Sequence, residues 1–503
     1  MPAARFAIPV LALLLLQACK VGPSFAPPHE PVPEHYAGAA SDAGSGAPQL
    51  AEAAPPTSFW WREFHDAELD RLIEQTTAGN LDLKAAYLRI VEARVEVQSA
   101  RAQGLPSLDA KAAYTREQLG LAGILKSKGI GDSGPTASPA AQQLIAALER
   151  PVNIYQLGFD ASWEIDLFGK VRRAVEAADA RSAGAVESRN DLLVSLEAEV
   201  AQTYFQLRAG QTLQQITLEL IAAQRDIVDL TRNRYVHGLA VEPDVESARG
   251  QLSSLEAQLP AYDQMIDTAR HALAVLTGRT PEALDGQFAA AGELPPVPDN
   301  IPLGVPSTLA RRRPDIRNSE TALHAATAEI GVAVGSLFPD VSLAGAYGVR
   351  NTGTRYLFDW QSKFYSFGPS VSLPIFHGGA LVANVRLSRA EAAEAALAYR
   401  KTVLNALEEV EDGLSAVHED ALRTQSLKET VAADERALEL QLDAYRHGVI
   451  SYIGALNVQL QAVQARQQLA QALLTQSTDL VRLYKALGGG WEDAPAVAAA
   501  REP

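Results

Sequence analysis

Two long stretches of helical pattern dominate the sequence. The first runs from Lys170 to Arg234 and the second from Gly379 to Tyr445, and neither contains a proline. Their apolar residues recur mostly three and four positions apart, which is the spacing of a helix with an apolar seam for its neighbours. At about 1.5 Å per residue each helix would be about 100 Å long, far longer than a typical globular helix. The pattern therefore predicts two long helices that pack against partners.

The two long helices belong to an internal repeat. A turn follows each of them, at Gly238 in the first copy and at Gly448 in the second, and the two glycines lie 210 positions apart. The same offset relates Gly158 to Gly368. We therefore predict that the chain contains two copies of one unit. Because glycine suits the left-handed residue after a helix, both turn glycines are expected to reverse the chain.

Alternation of apolar and polar residues predicts four strands. It is clearest from Tyr155 to Leu167 and recurs from Tyr365 to Ile375, with weaker versions after Pro106 and after Pro339. Each copy is thus expected to supply one hairpin. The alternative is a half-buried sheet in a soluble domain. Aromatic residues on the apolar faces, and lengths near the roughly nine to eleven residues that cross a bilayer, favour membrane strands.

Four strands are too few to close a membrane barrel. An open sheet edge in lipid leaves backbone groups without partners, and closed barrels begin at about eight strands. Several copies of the chain must therefore share one barrel. Two copies would give about eight strands and three about twelve. Because an eight-stranded barrel is filled by its own side chains, a conducting assembly favours three copies.

Shorter helical patterns surround the two long helices. They run over Leu81 to Ala102, Val245 to Leu276, Ile316 to Ser336 and Tyr452 to Leu487. Pro260 is expected to kink or break the second of these. Only the first hairpin has a long tip, from Leu119 to about Gln143, which we expect to be a mobile outward-facing loop.

The start of the chain has the pattern of a secretory signal. Arg5 precedes an apolar run, Phe6 to Leu16, that is too short to span a bilayer. Cys19, the only cysteine, stands at the expected cleavage point. This resembles a bacterial lipobox, which implies that Cys19 becomes the lipidated N-terminus; the alternative is an ordinary signal peptide with a chance cysteine. Lys20 replaces the aspartate of an inner-membrane retention signal, so the outer membrane is expected.

Composition narrows the function. The net charge of −16 and the pI near 5.1 argue against a nucleic-acid partner, because phosphate binding relies on clustered lysine and arginine. No later apolar run is long enough for a transmembrane helix. A single cysteine leaves no disulfide framework and no cysteine metal site. Without a spaced histidine cluster, a nucleophile elbow or a phosphate loop, we expect neither an enzyme nor a cofactor.

Three motifs stand out: Phe59 to Phe64, Gly304 to Leu309 followed by Arg312 to Ile316, and Leu483 to Trp491. In combination they resemble the motifs of one family, the NodT-type lipoproteins among the TolC-like outer-membrane factors. The resemblance implies a fold that is mainly α with membrane β: a homotrimer whose twelve-stranded outer-membrane barrel, with four strands per chain, continues into a long periplasmic α-helical barrel. It also implies a periplasmic adaptor protein and an inner-membrane efflux pump as partners in the export of drugs or other small compounds. The alternative function is a structural or adhesive coiled-coil outer-membrane lipoprotein.

The resemblance and the repeat together divide the chain. The expected segments are a signal peptide (1–18), a lipidated arm (19–58), the first repeat (59–279), a connector (280–314), the second repeat (315–487) and a C-terminal tail (488–503).

The resemblance implies a gate at the helical tip opposite the barrel, where family members hold the channel nearly closed by polar contacts. Judged by their positions around the turn glycines, Asp244 and Tyr445 resemble such residues, and a hydrogen bond between them is the expected latch. The alternative for Asp244 is a solvated acid or a capping acid at a helix start, just after Pro243. Asn457 stands where an aspartate often forms an acidic ring, and Ile450 and Gly454 replace an arginine and an aspartate of some relatives.

Three other signals are weaker. Gly129 to Gly134 matches G-x-G-x-x-G, but no strand leads into it, so no dinucleotide site is expected. His237 and His447 precede the turn glycines; a metal ring is one interpretation, but we expect them to meet free carbonyls at the helix ends. The run from Arg311 to Arg313 is expected on a solvated or adaptor-facing surface.

Overall fold

The structure is a computed structural model that describes residues 20–40, 49–51, 58–118, 150–298, 300–450 and 452–492. Cys19, the tip of the first hairpin and the Gly129 to Gly134 segment lie outside these ranges. The α-helices of the described residues are α1 (Ala67–Gly79), α2 (Leu81–Ala102), α3 (Lys170–Val236), α4 (Glu242–Glu256), α5 (Leu259–Leu276), α6 (Pro306–Arg312), α7 (Pro314–Gly335), α8 (Ala380–Arg446) and α9 (Tyr452–Ala486). The strands are β1 (Gln49–Ala51), β2 (Ser107–Glu117), β3 (Val152–Ile165), β4 (Asn300–Pro302), β5 (Asp340–Asn351) and β6 (Lys363–Ser372).

The chain forms two compact units. The first takes its described residues from the segments 1–26, 94–180 and 324–393, and the second from 27–93, 181–323 and 394–503. None of the helices in the described ranges has a stretch that is long and apolar enough to cross a membrane.

The first unit contains the predicted four strands. They form one antiparallel sheet in the order β2-β3-β5-β6, so each predicted hairpin is present and β3 pairs with β5 to join the two. Strand β6 ends at Ser372, three residues before the end of the alternation at Ile375. Aromatic side chains such as Phe159, Tyr365 and Phe367 remain exposed on the isolated sheet, where a soluble domain would bury one face.

The two predicted long helices are also present. Helices α3 and α8 each have 67 residues. The residues predicted for their seams are buried, among them Leu193 and Val200 of α3 and Val403 and Val410 of α8. In the second unit these seams meet the aromatic Trp60–Phe64 segment in one core, which shows that this motif packs the interior.

Proline interrupts the return segment after α3, as predicted. Helix α4 ends at Glu256 and α5 begins at Leu259, so Pro260 lies in the first turn of α5. Proline is tolerated there because the first backbone N–H groups of a helix have no partner within the helix. The predicted single segment is therefore two helices.

The N-terminal arm and the connector contribute structure that composition did not predict. Strand β1 of the arm pairs in parallel with β4 of the connector. The backbone N–H groups of Ala37 and Gly38 donate to the two carboxylate oxygens of Glu411, at 2.8 and 2.9 Å. The arm is thus fixed to the second unit at several points.

Candidate functional site at the helical turns

The ends of α3 and α8 have the same geometry. Gly238 and Gly448 have φ angles of +74° and +75°. The N–H of Leu239 donates to the carbonyl of Arg234 at 2.8 Å, and the N–H of Val449 donates to that of Ala444 at 2.9 Å. These bonds satisfy carbonyls that a helix end leaves free, and a side chain would strain the left-handed residue. The glycines therefore set both chain reversals.

The two histidines beside the turn glycines contact their own helices. Nδ1 of His237 lies 2.7 Å from the carbonyl oxygen of Asn233, and Nδ1 of His447 lies 2.9 Å from that of Asp443. Within the described ranges, no group of three or more His, Cys, Asp or Glu side chains is placed to hold a metal ion. The geometry is that of side chains at the carbonyl end of a helix.

Tyr445 links the ends of the two long helices. Its side chain is only 3% exposed, and its hydroxyl lies 3.0 Å from the hydroxyl of Thr231 on α3. Arg234 donates from Nη1 to the carbonyl oxygen of Tyr445 at 2.8 Å, and its guanidinium carbon lies 4.6 Å from the centre of the tyrosine ring. Arg234 is a candidate gate residue that the sequence analysis missed. The repeat offered a signal, because the corresponding residue of the second copy is Ala444.

Asp244 and Asn457 have different surroundings. Asp244 is half-buried in the first turn of α4, where its Oδ2 accepts a 3.4 Å hydrogen bond from the N–H of Val241. This is the capping arrangement that was the alternative to a gate role. Asn457 is exposed on α9. The Tyr445–Asp244 hydrogen bond stays a prediction.

Buried amides connect the helices behind the turns. Gln224 on α3 donates to the carbonyl oxygen of Ala248 on α4 at 2.9 Å. Gln459 on α9 donates to Oε1 of Gln224 at 2.8 Å. Because these groups are buried, breaking one bond would leave a polar group without its partner. The amides thus favour one arrangement of the three helices.

The prediction of a solvated arginine run is wrong for Arg313. Only Arg311 is exposed; Arg313 is buried, and it pairs with Asp315 and Glu409. Arg312 pairs with Glu492 at 2.7 Å. The run therefore joins elements of the second unit through ion pairs.

The residues that follow Cys19 are held in the first unit. Lys20 pairs with Glu176. Arg173 donates hydrogen bonds to the backbone carbonyl oxygens of Val21 and Gly22, at 3.0 Å each. Burial raises the pKa of Glu176, but hydrogen bonds from Lys20, His324 and Arg173 outweigh it and bring the pKa to about 2. Glu176 is therefore a carboxylate at neutral pH, and it fixes the segment directly after the predicted lipidation site.

Comparisons with known proteins agree with this architecture. The sequence pattern of the family described as "Outer membrane efflux protein" matches residues 72–279 and 305–489. Nodulation protein T of Rhizobium leguminosarum bv. viciae is 33% identical over 499 residues, which cover 99% of this chain and 96% of the relative. The probable efflux pump outer membrane protein TtgC of Pseudomonas putida is 30% identical over 484 residues, which cover 95% of this chain and 94% of the relative.

Two solved structures are similar over nearly the whole chain. The outer-membrane channel OprN is 31% identical, with a TM-score of 0.81 over 94% of this chain and 100% of that one. The open state of the MtrE outer membrane channel of Neisseria gonorrhoeae is 26% identical, with a TM-score of 0.76 over 94% of this chain and 99% of that one.

Proposed function

Because this chain belongs to the outer membrane efflux protein family, we infer that it is the outer-membrane channel of an efflux system, extends into the periplasm, and works as a homotrimer. The observation that carries the inference is the open four-stranded sheet with exposed aromatic side chains, joined in one chain to two 67-residue helices. A purely structural coiled-coil lipoprotein would need the helices but not such strands.

The strands support an assembly of three copies. Among the described residues, the two outer strands of the sheet, β2 and β6, each pair with one strand. In lipid the backbone groups of these edge strands need hydrogen-bond partners. In a symmetric assembly, β2 of one copy can pair with β6 of its neighbour. Three copies would supply twelve strands, enough for a barrel wider than one filled by its own side chains.

The repeat supports a tunnel beneath this barrel. Helices α3 and α8 have equal lengths, and both their first and their last residues lie 210 positions apart. Each protomer would therefore present two equivalent hairpins of helices, and a trimer would arrange six around one axis. We propose that a periplasmic adaptor protein and an inner-membrane efflux pump deliver small compounds to this tunnel, in line with the word "pump" in the name of TtgC. We assign the chain no catalytic role.

Channel and export measurements test this function. The detergent-extracted protein should have the mass of a trimer and should form ion-conducting pores in planar bilayers. Deleting its gene should raise drug susceptibility, and a plasmid copy should restore resistance. Palmitate labelling of the wild type but not of Cys19→Ser would support lipidation at Cys19. A monomer without conductance would instead favour the adhesive or structural alternative.

We propose that the turns of α3 and α8 form the periplasmic gate, and that Asp244→Ala loosens it. The substitution removes the acceptor at the start of α4 and the predicted partner of Tyr445, so single-channel conductance or drug sensitivity should rise. Losing one such cap or hydrogen bond corresponds to about 1 kcal/mol, or about a fivefold shift in the ratio of open to closed states. Single-channel recording in planar bilayers measures the change.

Two further variants sharpen the gate experiment. Arg234→Ala should act in the same direction, because it releases Tyr445. Glu246→Ala is the matched control: Glu246 is an exposed acid on the same helix as Asp244 and pairs with Arg249 at 2.6 Å. If Asp244→Ala and Glu246→Ala conduct like the wild type, Asp244 has no part in the gate.

A further inference from the structure

A cleft in the second unit has the features of a small-ligand site. Its volume of about 320 Å³ lies at the lower end of the range for ligand-binding pockets. Phe59, Ile73 and Leu193 supply apolar walls, and Glu197 of α3 lies among the lining residues. The cleft is separate from the helical turns, and the channel function does not use it.

A second cleft, of about 380 Å³, lies between α8 and α9. There Arg482 pairs with Asp479 at 2.6 Å, and Glu409 pairs with Arg313 at 2.6 Å. The cleft at Glu197 is the better candidate for a ligand.

Glu197 is an unusual side chain for a protein interior. It is 3% exposed, and its Oε2 atom has no hydrogen-bond partner among the described residues. Burial raises the pKa of Glu197 well above its usual value; Glu492 raises it further and Arg189 lowers it. Buried polar groups are nearly always paired in native structures, so an unpaired carboxyl in a cleft requires an explanation.

Gly490 brings the backbone close against this carboxyl. Its φ angle is +122°, a conformation that side chains rarely adopt, and a Cβ atom there would collide with Oε2 of Glu197. The neighbouring Trp491 fixes the segment, because its indole N–H donates to the carbonyl oxygen of Arg312 at 2.7 Å. The backbone after α9 thus passes close to the carboxyl without covering it with a side chain.

We propose that this cleft binds a compact primary amine that carries an aromatic or aliphatic group. An ammonium offers three donors and a positive charge to the unpaired carboxyl of Glu197. Phe59, Ile73 and Leu193 provide apolar contacts for the rest of the molecule. The exposed Glu74 also lines the cleft and lies 3.9 Å from Arg62. An entering cation would therefore meet a second acidic group.

Binding should release a proton. At a pH below its raised pKa, the free carboxyl of Glu197 is neutral; it loses its proton to water as the ammonium arrives, and the bound state is a carboxylate–ammonium pair. Over the pH range in which the free carboxyl of Glu197 is neutral and the amine is charged, the affinity for the amine should therefore rise. The increase should be up to about tenfold for each unit by which the pH is raised. The other charged or titratable groups that face Glu197 or line the cleft are Arg189, Glu492, Arg62, Glu74 and Tyr87.

Calorimetry on the full-length, detergent-solubilised protein tests the proposal with phenethylamine as the probe. We expect saturable binding, and about one proton released per amine when buffers of different ionisation enthalpy are compared. Phenethyl alcohol has the same apolar group without the charge and should bind at least about tenfold more weakly. Absence of phenethylamine binding, or equal binding of the alcohol, would overturn the proposal.

Variants then assign the effect to Glu197. Glu197→Gln keeps the shape but removes the charge, so phenethylamine should bind at least about tenfold more weakly and proton release should disappear. Glu199→Gln is the matched control, because Glu199 is an exposed acid on the same helix that does not line the cleft; the expected change is within about twofold. An equal loss in both variants would contradict a specific role for Glu197. Because the comparison of amine and alcohol needs no variant, the proposal stays testable if Glu197→Gln fails to fold.

Discussion

Replacing Arg313 with alanine is expected to lower the free energy of unfolding by about 2–3 kcal/mol, because the arginine is buried while Asp315 and Glu409, at 29% and 56% exposed, are partly screened by solvent. Arg313 is 8% exposed, and its Nε and Nη2 donate to the two carboxylate oxygens of Asp315 at 3.0 and 2.8 Å. Its Nη1 donates to Oε2 of Glu409 at 2.6 Å and to the carbonyl oxygen of Ala486 at 3.0 Å. Alanine would leave two carboxylates without their cation. Denaturant titration of the purified protein measures the loss.

Two neighbouring substitutions serve as controls. Arg313→Lys keeps the charge but not the planar, two-pronged contact with Asp315, so its effect should be intermediate. Arg311→Ala alters an exposed arginine of the same run and should change stability by no more than about 0.5 kcal/mol. If Arg313→Ala is as mild as Arg311→Ala, the ion pairs of Arg313 contribute little.

Arg313 also illustrates what the sequence could not predict. The long helices and the strands were predicted correctly because periods of about 3.6 and 2 are local properties of the chain. The three arginines of the run look alike in sequence, and what distinguishes Arg313 are partners 96 and 173 positions away. No local pattern reports such contacts.

The candidate gate was predictable only in part. The turn glycines follow from helix-termination rules, and the capping geometry of Asp244 involves a residue only three positions away. Arg234 meets Tyr445 across 211 positions, beyond the reach of local patterns. Comparison of the two predicted copies would have pointed to it, since a charged residue stands 210 positions before Ala444 while the two turns are otherwise similar. Glu197 offered no such signal, because its burial depends on the segment after α9.

The combined substitution Leu397→Glu and Leu404→Glu is expected to prevent formation of the proposed trimer. These α8 residues lie seven positions apart and are 69% and 57% exposed in the protomer, as are Leu81 and Leu88 of α2, at 67% and 64%. A seven-residue spacing is that of a helical seam, so we infer that these leucines face neighbouring copies. Burying one leucine contributes about 1.5–3 kcal/mol, and three copies multiply the effect. Light scattering after chromatography in detergent measures the assembly.

A second variant tests whether the loss of the trimer comes from the leucine positions themselves or from any glutamate added to α8. Ala398 is also exposed on α8 but lies about 100° around the helix from Leu397, so Ala398→Glu should leave the proposed trimer intact. The double leucine variant should also lose conductance in planar bilayers, because a lone four-stranded sheet cannot close a barrel. A double variant that stays trimeric would show that the leucines lie outside the interface. One that becomes monomeric yet still conducts would contradict the shared barrel itself.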